Sequence, residues 1–285
     1  MTIIPVHNLH AKNLKRVDFD VITLGEKENY SDVLPHRHNF YELMVFTEGS
    51  GKHEIDFNEY DIEKNSVHFV SPTQVHKLKS ANARGYVICF REEFLQLNPG
   101  QSFIDTFQFY DFTQYSPVIK MEESAFGNLA EISATLNSAL DSKSTLKREI
   151  LSSYLNIALL KIKEFFIDNC IFETNSIATV NPKIQEFKKL IAVNYLNHYT
   201  AFQYAGLLNI STNYLNALSK KETGRTATDL IHERILLEAK RLLYATNLSV
   251  KEISSLLHFD TDAYFVRFFK KNVGQTPLDY RNSLT

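Results

Sequence analysis

Two sets of side chains in this chain could do chemistry, and they call for different partners. The first is His36, His38, Glu42 and, further on, His76. His36 and His38 are two apart and Glu42 follows at an even spacing, so on a strand all three project to one side. Three imidazoles and a carboxylate can satisfy Fe, Mn, Ni or Zn and leave room for water. The same groups, with Tyr41 beside them, can instead line a pocket and bind a small molecule. The second set is Thr212, Asn213, Asn216, Ala217, Asp262, Ala263, Val266 and Arg267. Asn pairs two-pronged with adenine and Arg with guanine, Ala offers a methyl contact, and Asp accepts from a cytosine amine while repelling phosphate. Lys220, Lys221, Lys270 and Lys271 suit phosphate contacts.

The elements that must hold the second set are legible. TAFQYAGLLNISTNYLNALSKKETG opens on Thr200 with Gln203, and SVKEISSLLHFDTDAYFVRFFKKNVG opens on Ser249 with Glu252. Both are capping boxes, which satisfy orphan amides at a helix start. In the first, Phe202, Ala205 and Leu208 keep helical spacing, Asn209-Ile210-Ser211 breaks it, and Tyr214, Leu215 and Leu218 resume it. In the second, Ile253, Leu256 and Leu257 precede a break at His258-Phe259-Asp260, and Phe265, Phe268 and Phe269 follow. Each unit is therefore expected to be a helix–turn–helix, with a reading helix beginning near Ser211 in the first. Between them Thr226–Thr246 sets Leu230, Ile231, Ile235, Ala239, Leu242 and Leu243 on one face and Glu233, Arg234, Lys240 and Arg241 around the rest. A helix of about 20 residues spans about 30 Å, close to one turn of B-DNA. Two reading helices held at its ends could enter successive major grooves.

The segment ETGRTATDLIHERILLEAKRLL followed by SVKEISSLLHFDTDAYFVRFFKKNVGQTPLDYR resembles the AraC/XylS family of transcription regulators. Gly224, Arg234, Ala239, Leu242, Leu243, Ile253, Phe259, Phe265, Arg267, Phe268, Lys270, Gly274, Pro277, Tyr280 and Arg281 fit its pattern in order. The resemblance covers about the last hundred residues. Ser254 stands where Ala is usual, His258 where Gly is usual, and Leu218-Ser219 where an aromatic residue normally precedes Lys220. At His258 a turn that favours positive φ would penalise a residue with a Cβ.

The first half reads as short strands between Gly, Asn and Pro turns, at 17–24, 40–46, 52–57, 66–72, 75–79 and 85–90, which indicates an antiparallel sandwich or small barrel. There His36-Arg-His38 through Glu42, with a later Gly49, resembles the first motif of the cupin barrel. Pro72 and His76 resemble a degenerate second motif, with Gln74 where that pattern has Gly. A cupin-like barrel ahead of a DNA-binding pair implies sensing. His36, His38, Tyr41, Glu42 and His76 are thus expected to contact a small-molecule effector, with no catalytic residue, metal or cofactor assigned. His53 and His68 read as ordinary surface or core histidines.

Leu151, Leu155, Ala158, Ile162 and Phe165 alternate steps of four and three, the seam of a helix pair, and Phe126, Leu129, Ile132, Leu136 and Leu140 form a second stripe. One stripe could pack on the barrel while Leu151, Leu155, Ala158, Ile162 and Phe165 meet a second subunit, or both stripes could pack within the chain. The resemblance implies a homodimer, and RNA polymerase is a further candidate partner. The expected architecture is α+β and multidomain: a cupin-like antiparallel β-barrel (1–120), a helical dimerisation segment (121–168), a linker (169–181) and an all-α domain with two helix–turn–helix motifs (182–285). Asn181-Pro182 suits an N-cap and first helical turn.

At 285 residues and 44% hydrophobic content the chain can support two cores. Residues 183–285 carry 14 Lys and Arg against 9 Asp and Glu, a net of +5, leaving 17 against 24, a net of −7, on residues 1–182. The basic half suits double-stranded DNA and the acidic half does not. MTIIPVHNLHAKNLKR lacks the apolar run of a signal peptide, no window approaches a membrane span, and two cysteines make no disulfide framework. A cytoplasmic regulator that is not an enzyme is the expectation. Two alternatives stand beside it: a metal-dependent cupin enzyme fused to a DNA-binding module, and a ligand-independent regulator whose barrel only dimerises.

Overall fold

The computed structural model describes residues 4–7, 18–25, 34–95, 103–111, 115–170 and 181–284. It separates into two units, Pro5–Ser176 and Ile177–Thr285 together with Met1–Ile4. The first unit carries β1 (Val6–His7), β2 (Phe19–Leu24), β3 (Arg37–His38), β4 (Tyr41–Ile55), β5 (Asn58–Asp61), β6 (Ser66–Val70) and β7 (His76–Phe90). After these come α1 (Phe103–Thr106), β8 (Val118–Lys120), α2 (Glu123–Ala139) and α3 (Lys147–Cys170). Six strands form one antiparallel sheet in the order β2-β7-β4-β6-β8, with β5 also on β4, and β1 pairs with β3 in parallel.

The strands expected at 40–46 and 52–57 are one strand, β4, and those at 75–79 and 85–90 are one strand, β7. The two stay paired from Tyr41 opposite Phe90 to Ile55 opposite His76, passing register irregularities at Phe46/Glu48 and Glu48/Ser50. Glycines that look like turns in sequence serve these irregularities instead. Gly85 has φ +139°, and a Cβ there would lie 1.9 Å from the Val45 carbonyl oxygen, so only glycine fits. Beyond the irregularity the neighbours of β4 change, from β6 along Glu42–Phe46 to β5 along Lys52–Ile55.

Both faces of the sheet are buried, and strand parity sorts the side chains between them. Tyr41, Leu43 and Val45 join Phe19, Val21, Ile88 and Phe90 in a core shared with α2 and α3. Met44 and Phe46 face the other way, against Leu24, Leu78, Val87 and Cys89.

The helical stripes need correcting. Leu151, Leu155, Ala158 and Ile162 are 0–4% exposed inside the first core, and Phe165 packs against it. The seam expected to meet a second subunit is therefore spent on the sheet and on Phe126, Leu129 and Leu136 of α2. Each fully buried Leu or Ile is worth about 1.5–3 kcal/mol there, which fixes how α3 is rotated. Helix α3 also runs to Cys170, so 169–170 are helical rather than linker, and the rest of the expected linker up to 180 lies outside the described residues.

The second unit is helical: α4 (Pro182–Asn194), α5 (Ala201–Leu207), α6 (Thr212–Thr223), α7 (Ala227–Ala245), α8 (Val250–Leu256), α9 (Asp262–Val273) and α10 (Pro277–Asn282). Asn181 caps α4, its side chain accepting from the Lys183 amide at 2.9 Å. Among the described residues no helix is long and apolar enough to cross a membrane.

Candidate DNA-reading surface and histidine cluster

Both expected helix–turn–helix units form, as α5–α6 and α8–α9. The capping boxes at Thr200/Gln203 and Ser249/Glu252 are closed on both sides, and a third, Thr226/Asp229, starts α7. Ser211 and Thr261 cap α6 and α9 by accepting from the Tyr214 and Tyr264 amides, each at 3.2 Å. Left-handed Gly224 (φ 73°) and Gly274 (φ 90°) end the same two helices, with Lys220-Lys221 and Lys270-Lys271 in the last turns, where cations suit the helix dipole.

The inner faces are Leu215, Leu218 and Ser219 on α6 and Phe265, Phe268 and Phe269 on α9. Asn213, Ala217, Lys220, Asp262, Ala263, Arg267 and Lys270 are exposed, while Thr212, Asn216 and Val266 are half-buried. Asn216 needs a correction: its Oδ1 accepts from the Ala227 amide at 3.1 Å, tying α6 to the first residue of α7. Two-pronged pairing with adenine would break that bond, so its geometry is that of a tether. Tyr214 and Tyr264, at the same place in the two helices and each 49% exposed, are the side chains the sequence reading missed. The helical period placed Tyr214 inward, and Phe202 (75% exposed) and Leu256 also turn out to face solvent.

Other charged residues are structural. Arg241 and Glu238, on the α7 face expected to be polar or left unassigned, are buried. Glu238 bonds Arg234 at 3.2 Å, and the Arg234 guanidinium lies 4.0 Å from the Tyr195 ring centre. Arg281 donates from Nε to the Leu243 carbonyl at 3.1 Å, capping the end of α7.

In the first unit His36, His38, Glu42 and His76 are all at most 2% exposed. His38 Nδ1 lies 2.6 Å from the Phe40 carbonyl, which can only accept, so that nitrogen donates, and Nε2 lies 3.3 Å from Glu42 Oε2. His76 Nε2 lies 3.7 Å from the same oxygen. His38, Glu42 and His76 each bring one ligand atom within 4.8 Å of the others. His36 stands apart from that triad: its Nδ1 goes to the Leu34 carbonyl at 3.0 Å and its ring centre sits 4.2 Å from that of His76.

His53 and His68 are core residues as one of the expectations had it, yet they extend the cluster. His53 Nε2 meets His76 Nδ1 at 3.0 Å, and His53 Nδ1 meets His68 Nδ1 at 3.0 Å. Each contact needs one proton, so a proton on His76 Nδ1 and another on His53 Nδ1 would leave His76 Nε2 facing Glu42 as a lone pair. Burial lowers the pKa of His68 to about 3, against a backbone hydrogen bond with Asp61 that raises it. Burial also holds His53 well below the usual histidine range, reinforced by His68, His36 and His38. The signal that could have found them is register: His53 is two residues from Ile55, the partner of His76, and His68 pairs with Met44, two residues from Glu42.

Tyr41 is a second correction. One residue from Glu42, it lies on the other face, between Phe90, Phe103 and Tyr110, where burial raises its pKa. Gln74, where the cupin pattern has Gly, is 2% exposed and braces the approach to His76. Its Oε1 accepts from the Ser71 amide at 2.7 Å and its Nε2 donates to Asp56 at 3.1 Å.

A divalent metal, which cupin-like folds can carry, suits this donor set. Two imidazole nitrogens and one carboxylate converge, His38 Nε2 has no hydrogen-bond partner, and backbone or histidine contacts fix the second ring nitrogens.

Residues 20–151 match the family model of an AraC-like ligand binding domain, and residues 204–283 match that of a helix-turn-helix domain. The chain is 25% identical over 280 residues to an uncharacterized HTH-type transcriptional regulator, YfiF, of Bacillus subtilis, spanning 97% of this chain and 87% of that protein. It is 20% identical over 287 residues to the HTH-type transcriptional activator RhaR of an Enterobacter species, spanning 94% and 96%. Among solved structures, the C-terminal domain of AraT, a response regulator from Geobacillus stearothermophilus, covers 37% of this chain and 88% of its own at 29% identity, with a TM-score of 0.35.

Proposed function

The chain belongs to the AraC family of transcription regulators, with a ligand-binding domain ahead of its helix-turn-helix domain, and on that premise we propose how its residues divide the work. Asn213, Ala217 and Arg267 read base edges, joined by Thr212, Asp262, Ala263 and Val266 at the margins, while Lys220 and Lys270 hold phosphates. The observation that carries this is the matched exposure of equivalent faces on α6 and α9, each capped at both ends. Asn216 is left to support the first of them.

A small-molecule effector binds at His36, His38, Glu42 and His76, and it alters DNA binding by favouring one arrangement of the protein over another. The regulator works in the cytoplasm as a homodimer, acts with RNA polymerase and catalyses no reaction of its own. Mapping the sites occupied by the full-length protein in cells, then measuring binding to those sites and to random DNA, tests the reading. Discrete sites bound at least a thousandfold above random DNA are expected, and equal binding to both would sink it.

A second reading is favoured by the convergence of His38 Nε2, Glu42 and His76: the cluster holds a divalent metal ion. Elemental analysis and a Zn²⁺ or Ni²⁺ titration followed by thermal melting should then show one ion per chain, lost in His38→Ala. Absence of metal and of any melting shift would discard it.

A further inference from the structure

Two helix–turn–helix units can read one site only if the distance between α6 and α9 is held to less than the rise of a base pair, about 3.4 Å. Helix α7, 19 residues long, joins them, and Asn216 fastens α6 to its first residue. Such a connection sets the separation of its own ends, about 28 Å, but by itself leaves the second unit free to rock about it. A cleft of about 510 Å³ opens beside α7, lined by Thr200 and Ala201 of the first unit and by Asp260 and Tyr264 of the second. The two units are therefore not close-packed along that side, where packing would have stopped the rocking.

His198 spans the gap. It ends the short 3₁₀ turn Tyr195–Asn197 that follows α4, two residues before Thr200 caps α5. Its Nε2 donates to the Leu257 carbonyl at 2.7 Å, because a carbonyl can only accept. Leu257 is the C-cap of α8 and precedes the left-handed His258 that turns the chain towards α9. The same ring stands edge-on to Phe259, 4.7 Å between centres, and Phe259 packs in turn on Phe265 and Phe268 of α9. The entry to the first unit is thus tied to the reading helix of the second. The backbone at His198 is left-handed, with φ of 51°, a conformation that Gly or Asn meets more easily than a residue with a bulky ring. The turn alone does not call for histidine there, whereas the bond across to α8 does.

We propose that His198 is a positioning residue: its bond to Leu257 sets the distance and angle between α6 and α9, and with them the spacing between the two base sequences that the protein accepts. The inference rests on the reading that both helices contact one site, and it adds what fixes their separation.

Two substitutions separate the bond from the fold. Gln carries its amide nitrogen as many bonds from Cα as the imidazole carries Nε2, so His198→Gln can remake the bond. Asn stops one bond short while accepting the left-handed backbone, so His198→Asn keeps the turn and loses the tie. Nitroxide labels at Lys221→Cys on α6 and Lys271→Cys on α9, both exposed positions, report the distance by electron–electron double resonance. The measurement uses the full-length chain diluted with unlabelled chain, in a Cys170→Ser background with Cys89 buried. One narrow distance for wild type and His198→Gln is expected, and a broader or shifted one for His198→Asn at unchanged circular dichroism. An unchanged distance in His198→Asn, or a His198→Gln variant as broad as His198→Asn, overturns the proposal.

Spacing is then read on DNA with the same three proteins, unlabelled. A site mapped in cells is compared with copies in which one base pair is inserted or removed between the two contacted segments. Wild type and His198→Gln should lose about 10–100-fold on the altered copies, and His198→Asn only a few-fold. Equal losses in all three overturn the role in spacing. A wild type indifferent to the change overturns the shared-site reading and the spacing role with it, while the distance measurement, which needs no DNA, still judges the bond.

Discussion

Asn209 and His258 share one backbone conformation, left-handed with φ of 54° and 56°, at the equivalent turn of the two helix–turn–helix units. Asn tolerates that region through its short polar side chain, whereas a bulkier residue is strained there by up to about 1–2 kcal/mol. His258 is exposed, and its amide still donates to the Ser255 carbonyl at 3.1 Å. His258→Gly should therefore raise stability by about 0.5–1 kcal/mol, net of the entropy glycine adds to the unfolded chain. A urea midpoint that falls instead would show that the imidazole holds a stabilising contact.

His68 should make the protein acid-sensitive. Its folded pKa of about 3 lies below the usual 6.5, so between those values the unfolded chain binds a proton that the folded chain refuses. Stability is then fully present above pH 6.5 and falls as pH drops towards 3, by about 2 kcal/mol at pH 5 from this residue alone. Denaturant titrations at pH 7 and pH 5 should show a smaller difference for His68→Gln than for wild type. An equal difference would mean that His68 does not carry the effect.

Asn216 on α6 and Arg267 on α9, both expected from sequence to read bases, should separate experimentally. Arg267→Ala should cost about 1–3 kcal/mol on the cognate site and relax one base position, while Lys270→Ala weakens all sequences alike and lowers the salt slope. Asn216→Ala removes the acceptor for the Ala227 amide and should instead lower folding stability by about 0.5–2 kcal/mol, with base preference unchanged. Equal losses on cognate and random DNA would remove Arg267 from the reading surface, and a changed base preference would restore Asn216 to it.

Gly85→Ala should be among the most damaging single changes in the first unit. The new Cβ meets backbone, the Val45 oxygen, at a φ that L residues rarely adopt, so a loss of about 2–4 kcal/mol is expected. A thermal melt within a degree of wild type would contradict the close approach of β4 and β7.

Much of the second unit was legible because its signals are local. Thr200, Ser249 and Asn181-Pro182 act within one helical turn of themselves, and all act as caps where the spacing placed them, while Gly224 and Gly274, named in sequence only as fitting the family pattern, end α6 and α9. The strand pieces of the first unit were legible as extended chain, but not their merger into β4 and β7. A glycine at an irregularity and a glycine at a turn look alike until the partner strand is in place.

By itself, then, the sequence determined the two capped helix–turn–helix units, the order of strands before helices and the nearness of His38 and Glu42, since these follow from caps, periodicity and spacing, while His76 joined them through the cupin resemblance and His36 stands apart. Tertiary structure decided which face each element presents. It put Tyr41 in the aromatic core and Glu42 with the histidines, brought His53 and His68 to His76, committed Asn216 to α7, and turned the apolar stripe of α3 onto the sheet. Those choices compare burial among residues far apart in the chain, and a periodic pattern carries no local term to say what covers it.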